Sequence, residues 1–337
     1  MSSPTKDASV IDLANYPSMD WPTSLDIPLK ASEELVSIDL DTDLPDDPND
    51  LRTLLVEENS DKEHWLMIAI AYCNHGMLEG GIKLIQIALD IFSDYDKASL
   101  YTFLTWAYLK MAKMNNIDVA KREEALQNAE NNLKDAIAFN PTWIANILAT
   151  LDLYYQRGHY EKALETADLF IKGIEAEERR SGKPLKPNSM FLFLRAKLLY
   201  HNKNYKASLK SFQELLVINP MIKPDPRIGI GMCFWQLKDH QMAIKSWKRA
   251  AQLDPNNKGP STLVLLTEFY KALTESNNDT QFEENFTSAL KDLDSQLSAD
   301  KENPVLLILL QSYYYFKGNY TKILEIYENK LAPRKEL

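Results

Sequence analysis

The sequence reads as all-α: a right-handed superhelical solenoid of about seven helical hairpins, preceded by an acidic, mostly extended N-terminal arm. Three observations carry that reading. A twelve-residue helix–turn–helix window recurs along the chain. Asn/Asp-Pro dipeptides punctuate the intervals between windows. The negative charge is gathered at one end.

Five windows align: YCNHGMLEGGIK (72–83), YYQRGHYEKALE (154–165), LYHNKNYKASLK (199–210), FWQLKDHQMAIK (234–245) and YYFKGNYTKILE (314–325). Each begins with an aromatic or apolar residue and passes through a polar turn that often holds a glycine (Gly76, Gly158, Gly318). Glycine supplies the left-handed conformation that ends a first helix. Nine places on stands Gly81, Ala163, Ser208, Ala243 or Ile323, usually small enough for a second helix to pack closely on the first. Successive windows start 82, 45, 35 and 80 residues apart. A period near 34 fits 35 directly, 45 with a loop, and 82 and 80 if each hides one weaker unit and an insertion. Phe103, Trp106 and Ala107 with Ala129, Leu133 and Ala136 mark the first hidden unit, split by an insertion over 111–124. Val264 and Leu265 with Phe286 and Ala289 mark the second. The interval of 45 places a loop at 175–188.

Asn140-Pro141, Asn219-Pro220, Asp254-Pro255 and Asn303-Pro304 fall where one hairpin hands over to the next. Proline disfavours helix at the residue before it and suits the first turn of the helix after it. The expected units lie near 62–95, 100–141, 144–175, 189–222, 224–257, 258–303 and 304–331, with a tail at 332–337.

The net charge of −10 is uneven. Residues 1–61 hold 3 Lys/Arg against 15 Asp/Glu, and the rest hold 35 against 33. The body is therefore close to neutral, which argues against broad phosphate-backbone binding. Residues 1–15 are expected to be disordered and 16–61 to form the arm. Within it Leu25, Ile27 and Leu29, then Val36, Ile38 and Leu40, alternate with polar residues or Pro28, the period of short extended segments. Two roles stand open for 25–56: folding along the array, or pairing with a partner chain by strand addition. A partly disordered acidic tail is the alternative.

The two cysteines, Cys73 and Cys233, form no disulfide framework and fit a reducing compartment. No signal peptide and no membrane span are expected. No catalytic or cofactor constellation is found. His75, His159, His201 and His240 sit in or beside turns, His64 stands apart, and no pair has zinc-ligand spacing. Gly229-Ile-Gly231 lacks the third glycine and the preceding strand of a dinucleotide loop.

The helical units match the tetratricopeptide pattern. Unit one reads Trp65, Ile68, Ala69, Tyr72, Gly81, Ile85, Ala88; unit five reads Ile230, Gly231, Phe234, Ala243, Trp247, Ala250, Pro255. Units three and seven depart from it, with Leu151 and Gln311 at the small position of the first helix. LDIPLKASEELVSIDLDTDLPDD (25–47), EHWLMIAIAYCNHG (63–76), NPMIKPDPRIGIGMCFWQLKDHQMAIKSW (219–247) and NPVLLILLQSYYYFKG (303–318) resemble the large tetratricopeptide scaffold subunit of the RNA polymerase II-associated factor (PAF) complex, in its fungal form. Members of that family are much longer, so an N-terminal fragment is expected.

The resemblance implies a non-catalytic nuclear scaffold for transcription elongation and co-transcriptional histone modification. It implies binding to the namesake and other subunits of the PAF complex, and indirectly to RNA polymerase II and chromatin. No membrane, no cofactor and no direct nucleic-acid partner are expected. A generic tetratricopeptide adaptor outside transcription is the alternative.

In such an array the first helix of each hairpin lines a groove. Counting in register nominates Leu148 and Tyr155, Phe193 and Tyr200, Ile228, Met232 and Trp235, and Ile308, Tyr315 and Phe316 as groove residues. Ile27, Leu29, Ile38 and Leu40 are the candidates in the arm. Aromatic, Met and aliphatic side chains suit an apolar partner helix or strand. A carboxylate clamp is ruled out, because Leu66 and Ile70 occupy its positions in unit one. Loop 175–188, with Arg179, Arg180, Lys183 and Lys186, reads as solvated or as a contact for nucleic acid or an acidic partner, and Lys245, Lys248 and Arg249 as a solvated convex face.

Overall fold

The computed structural model describes residues 22–30, 34–42, 44–114, 117–182, 188–274 and 279–332. The expected disorder of 1–15, the basic end of loop 175–188 and most of the 332–337 tail lie outside them. The chain divides into two compact units, Met1–Leu194 and Arg195–Leu337.

The first unit opens with two strands, β1 (Ser24–Pro28) and β2 (Leu35–Asp39), and a helix, α1 (Asn49–Glu57). Three hairpins follow: α2 (Lys62–Asn74) with α3 (Leu78–Ile91), α4 (Asp94–Met111) with α5 (Val119–Phe139), and α6 (Ile144–Gln156) with α7 (Tyr160–Ser181). Helix α8 (Ser189–His201) carries the division. The second unit continues with α9 (Tyr205–Ile218), α10 (Pro226–Gln236) and α11 (His240–Leu253). It ends with α12 (Gly259–Thr274), α13 (Asp279–Ala299), α14 (Pro304–Phe316) and α15 (Tyr320–Ile326), which runs into a π-helical turn, Tyr327–Leu331.

The turns explain the windows. Gly76, Gly158, Lys203, Lys238 and Gly318 occupy the fifth place of their windows, with φ of 83°, 74°, 59°, 67° and 66°. The next residue's amide then donates back five places, to Tyr72, Tyr154, Leu199, Phe234 and Tyr314, at 2.9 Å each time. This bond satisfies a carbonyl that the helix end leaves unpaired and reverses the chain in a fixed geometry. Asn204, Asp239 and Asn319 then cap the second helix, accepting from the amides of Ala207, Met242 and Lys322. The hand-over dipeptides work similarly at Asn303, whose Oδ1 takes the amides of Val305 and Leu306 at 3.1 and 3.3 Å, ahead of Pro304 in the first turn.

The paired helices meet where side chains are smallest. A Cβ on Gly81 would lie 2.7 Å from the carbonyl oxygen of Ala69. Ser208 instead donates its hydroxyl to the Ala196 carbonyl at 2.8 Å. The space above Gly231 is filled by the indole of Trp247, whose N–H donates to the Ile228 carbonyl at 3.0 Å. At the departures from the pattern, Leu151 is fully buried, and the Gln311 amide donates to the Ile323 carbonyl at 3.0 Å.

Three expectations are refined. The arm is not extended throughout, since nine of its residues form α1. Helix α7 continues to Ser181 and ends on Gly182 at φ 66°, so residues 175–181 are helix rather than loop; Glu177 pairs with Arg180, and Glu175 with Arg179, along its surface. The insertion before α5 is likewise shorter than 111–124, because residues 119–124 are already helical.

The strands of the arm pair with each other, antiparallel, with Leu25 opposite Ile38 and Ile27 opposite Val36. Alternation puts Leu25, Ile27, Ile38 and Leu40 on one face, where they join Leu51, Leu55, Trp65, Tyr72 and Leu104 in a single core. Polar ties reinforce it. The Tyr72 hydroxyl donates to the Pro45 carbonyl at 2.6 Å, and His75 Nε2 lies 2.9 Å from the Leu40 carbonyl. Burial, then the carboxylates of Asp47, Asp50 and Asp46, push the Tyr72 phenol up to about 12.

Between the second and third hairpins Asn146, wholly buried, spans three segments. Its amide donates to the carbonyls of Ala136 and Asn140 at 3.2 and 2.9 Å, and the Thr102 hydroxyl lies 2.7 Å from its Oδ1.

These contacts generate three expectations for unfolding experiments. Lys238→Gly relieves a left-handed lysine and raises stability by roughly 1 kcal/mol in urea titration, net of glycine's added chain entropy; a lowered midpoint refutes this account of the turn. Asn146→Ala strands buried polar groups and costs roughly 2 kcal/mol or more; a change within error would mean that its hydrogen bonds are replaced by water. The third concerns alkali. Between pH 10 and about 12 the unfolded Tyr72 loses its proton while the folded one keeps it, so stability falls as pH rises through that window, by up to about 1.4 kcal/mol per unit. Tyr72→Phe removes that slope, and an unchanged alkaline profile in the variant assigns it elsewhere.

Candidate protein-interaction surface

Each nominated groove side chain stands on the first helix of a hairpin, and its exposure follows from what the next helices lay over it. In the first unit Leu148 is a core residue rather than a contact, 8 % exposed. Tyr155 and Phe193 are half-buried. The Tyr155 ring lies 5.8 Å from that of Tyr160, and burial raises its phenol pKa. Beside it Asp152, 2 % exposed, is held by Lys113 at 2.8 Å and by the Gln156 amide at 2.8 Å. The same Gln156 nitrogen reaches the Leu109 carbonyl at 3.1 Å. This part of the surface is a polar clasp between α4 and α6.

The second unit offers more to a partner. Tyr200, Ile228, Met232 and Trp235 are half-buried, and Ile308, Tyr315 and Phe316 are 54 %, 62 % and 50 % exposed. Gln236 donates to the Tyr200 hydroxyl at 3.2 Å. The Trp235 ring lies tilted 4.7 Å from His240 and meets Tyr270 edge-on at 5.0 Å, so three rings close into one cluster. Met232 and Trp235 pack on the core around Ala243, Trp247 and Val264.

One feature of this surface went unread in the sequence. Tyr160, Tyr205, His240 and Tyr320, each the seventh residue of its window, place rings 5.8, 5.4, 4.7 and 6.1 Å from Tyr155, Tyr200, Trp235 and Tyr315. The signal was present, since four of the five windows carry an aromatic ring or imidazole there. Each pair stiffens its groove aromatic from below.

In the arm the nomination is corrected. Ile27, Ile38 and Leu40 are 0 %, 7 % and 5 % exposed and belong to the core, and Leu29 is half-buried. Period two identified a buried face, which the chain's own first hairpin fills. The outer face carries Asp26, Ser37 and Asp39. A cleft of about 350 Å³ lies between Pro22, Thr23, Leu40 and Asp41 of the arm and Met67, Ala71, Asn74 and His75 of α2.

Among the described residues no group of three His, Cys, Asp or Glu side chains is gathered as a metal site, and no helix is long and apolar enough to cross a membrane. Burial pushes both the Cys73 and Cys233 thiols up, opposite to the shift that makes a cysteine reactive.

No family model matches the chain. It is 65% identical over 323 residues to the RNA polymerase-associated protein CTR9 of Saccharomyces cerevisiae, covering 96% of this chain and 30% of that protein. It is 31% identical over 312 residues to tetratricopeptide repeat protein 1 of Schizosaccharomyces pombe, covering 90% of this chain and 29% of that protein. The chain thus spans about 30% of the length of the curated relatives it matches. Among solved structures, a signal-transduction ATPase with a tetratricopeptide repeat sensor from Pyrococcus horikoshii aligns at TM-score 0.59 and 20% identity over 84% of this chain and 44% of its own. A tetratricopeptide repeat protein from Parabacteroides merdae aligns at TM-score 0.52 and 14% identity, covering 80% of this chain and 92% of its own. At those identities the two structures speak to the fold alone, and they bear out the hairpin array. The sequence resemblance is borne out as well: over nearly all of its length, this tetratricopeptide-repeat chain is homologous to a segment of the RNA polymerase-associated protein CTR9.

Proposed function

We propose that the chain is a non-catalytic protein-interaction scaffold of the PAF transcription elongation complex. In this reading it resides in the nucleus, binds the namesake and other subunits, and supports RNA polymerase II elongation and co-transcriptional histone modification. The observation that carries the reading is the 65% identity to an RNA polymerase-associated protein across 96% of the chain. The surface agrees with it chemically. Tyr200, Ile228, Met232 and Trp235, with Ile308, Tyr315 and Phe316, offer apolar and aromatic side chains that are held in place yet reachable. Rigid aromatics lose little entropy when a partner covers them, which makes them strong anchors. In the first unit Tyr155 and Phe193 are the corresponding contacts. The arm contributes the rim of the cleft beside α2 rather than a free strand.

The test is capture of PAF subunits from nuclear extract by the full chain, read by quantitative immunoblot. Trp235→Ala lowers recovery by about tenfold or more, equivalent to about 1.4 kcal/mol, while the variant stays helical by circular dichroism. Undiminished recovery by a folded variant removes Trp235 from the contact. Failure of the parent chain to recover any PAF subunit overturns the assignment in favour of an adaptor outside transcription.

A further inference from the structure

The second helix of each hairpin turns a stripe of exposed residues outward, and on two consecutive hairpins that stripe is net positive, by one charge on α9 and by three on α11. On α9 it runs through Lys206, Lys210, Gln213, Glu214 and Val217, all exposed. On α11 the equivalent places, 35 residues on, are Gln241, Lys245, Lys248, Arg249 and Gln252, again all exposed. The spacing i, i+4, i+7, i+8, i+11 puts each set on one helical face. Elsewhere the same places lean acidic: Glu161, Glu165 and Asp168 against Lys172 on α7, and Glu325 and Glu328 on α15 and the turn that follows it. Residues 195–258 as a whole carry 12 Lys/Arg against 4 Asp/Glu, a balance of +8 hidden within a near-neutral body.

Little of this charge is answered locally. Glu214 lies 3.8 Å from Lys210, and Lys248 reaches Glu268 at 3.3 Å. Lys206 and Lys245 have no carboxylate partner among the described residues. Apolar side chains stand open on the same two helices: Val217 is 84 % exposed on α9 and Leu253 48 % on α11. Such side chains gain by being covered.

We propose that the outward face of α9 and α11 is a docking surface for an acidic segment of a partner protein, one that alternates carboxylates with aliphatic side chains. Charge complementarity fixes the sign of the occupant. The exposed Val217 and Leu253 decide between a peptide and a nucleic acid. Phosphates leave those side chains uncovered, and the stripe holds no aromatic ring on which bases stack. This face is separate from the groove, and the inference does not depend on which complex the chain serves.

The probe is a short fluorescein-labelled polyglutamate peptide carrying a leucine in every helical turn, titrated with the full chain by fluorescence anisotropy at physiological ionic strength. A polyuridylate RNA of matched length is titrated in parallel. The expected result is saturable peptide binding that weakens by about tenfold or more in Lys206→Glu/Lys245→Glu/Lys248→Glu and by a smaller factor in Val217→Ser, with Glu165→Lys on α7 as an unaffected control. The corresponding Gln replacements repeat the measurement should charge reversal cost helicity. Absence of peptide binding, undiminished binding in the folded charge variants, or tighter capture of the RNA each overturns the proposal.

Discussion

Five of the hairpins close through one residue that enters the left-handed region, and much of their packing follows from that closure. Five turns do so, at φ between 59° and 83°, and each makes the same 2.9 Å return bond. The bond fixes where the second helix starts, and therefore which residue of it faces the first. That register brings Gly81 against the Ala69 carbonyl and lays Trp247 over Gly231. A turn of different length would rotate the second helix and turn its apolar stripe out of the interface. Two hairpins meet the constraint with lysine, a side chain strained in this region. They are held by what surrounds the turn: the caps of Asn204 and Asp239 and the packing of Ser208 and Ala243.

This dependence explains what was legible in the sequence. Turn residues, small contact residues and Asn/Asp-Pro hand-overs act locally, within one window, so the residues that cause the structure lie beside one another in the chain. The hairpins could therefore be counted from the sequence. Helix ends inside the longer connections were not legible in the same way. Residues 175–181 are charged and lack a breaker until Gly182, and they continue α7 through pairs such as Glu177 with Arg180. Helix α1 was missed because the arm was read only through its period-two segments, although Leu51 and Leu55 face the core one turn apart.

Burial was the harder quantity. Ile27, Ile38 and Leu40 have the alternation of a strand whose other face is solvated, and that pattern does not say what covers the apolar side. The answer lies about one hairpin away in sequence, on α2, where Trp65 and Tyr72 complete the core. The polar ties have the same non-local character. Asn146 with Thr102, Lys113 with Asp152, and Tyr72 with the Pro45 carbonyl join residues 44, 39 and 27 positions apart. Each is worth most in the interior, where an unpaired group would be costly. None has a marker in the chain, since an asparagine or lysine in a helix is ordinarily a surface residue.

The division between inside and outside also separates folding from recognition. At the contact position four hairpins hold Gly81, Ala163, Ser208 or Ala243, all buried, with the Ala69 carbonyl leaving no room for a Cβ at Gly81, while Ile323 stands there in the fifth. At the outward positions of the second helices no such limit acts, and equivalent places hold glutamates on α7 and lysines on α11. Reversing charge there leaves the hairpin intact while inverting the field that an approaching partner meets. A repeat array can thus present faces of opposite sign on one backbone plan. Which partner docks where is then decided by side chains on which the fold itself makes no demand.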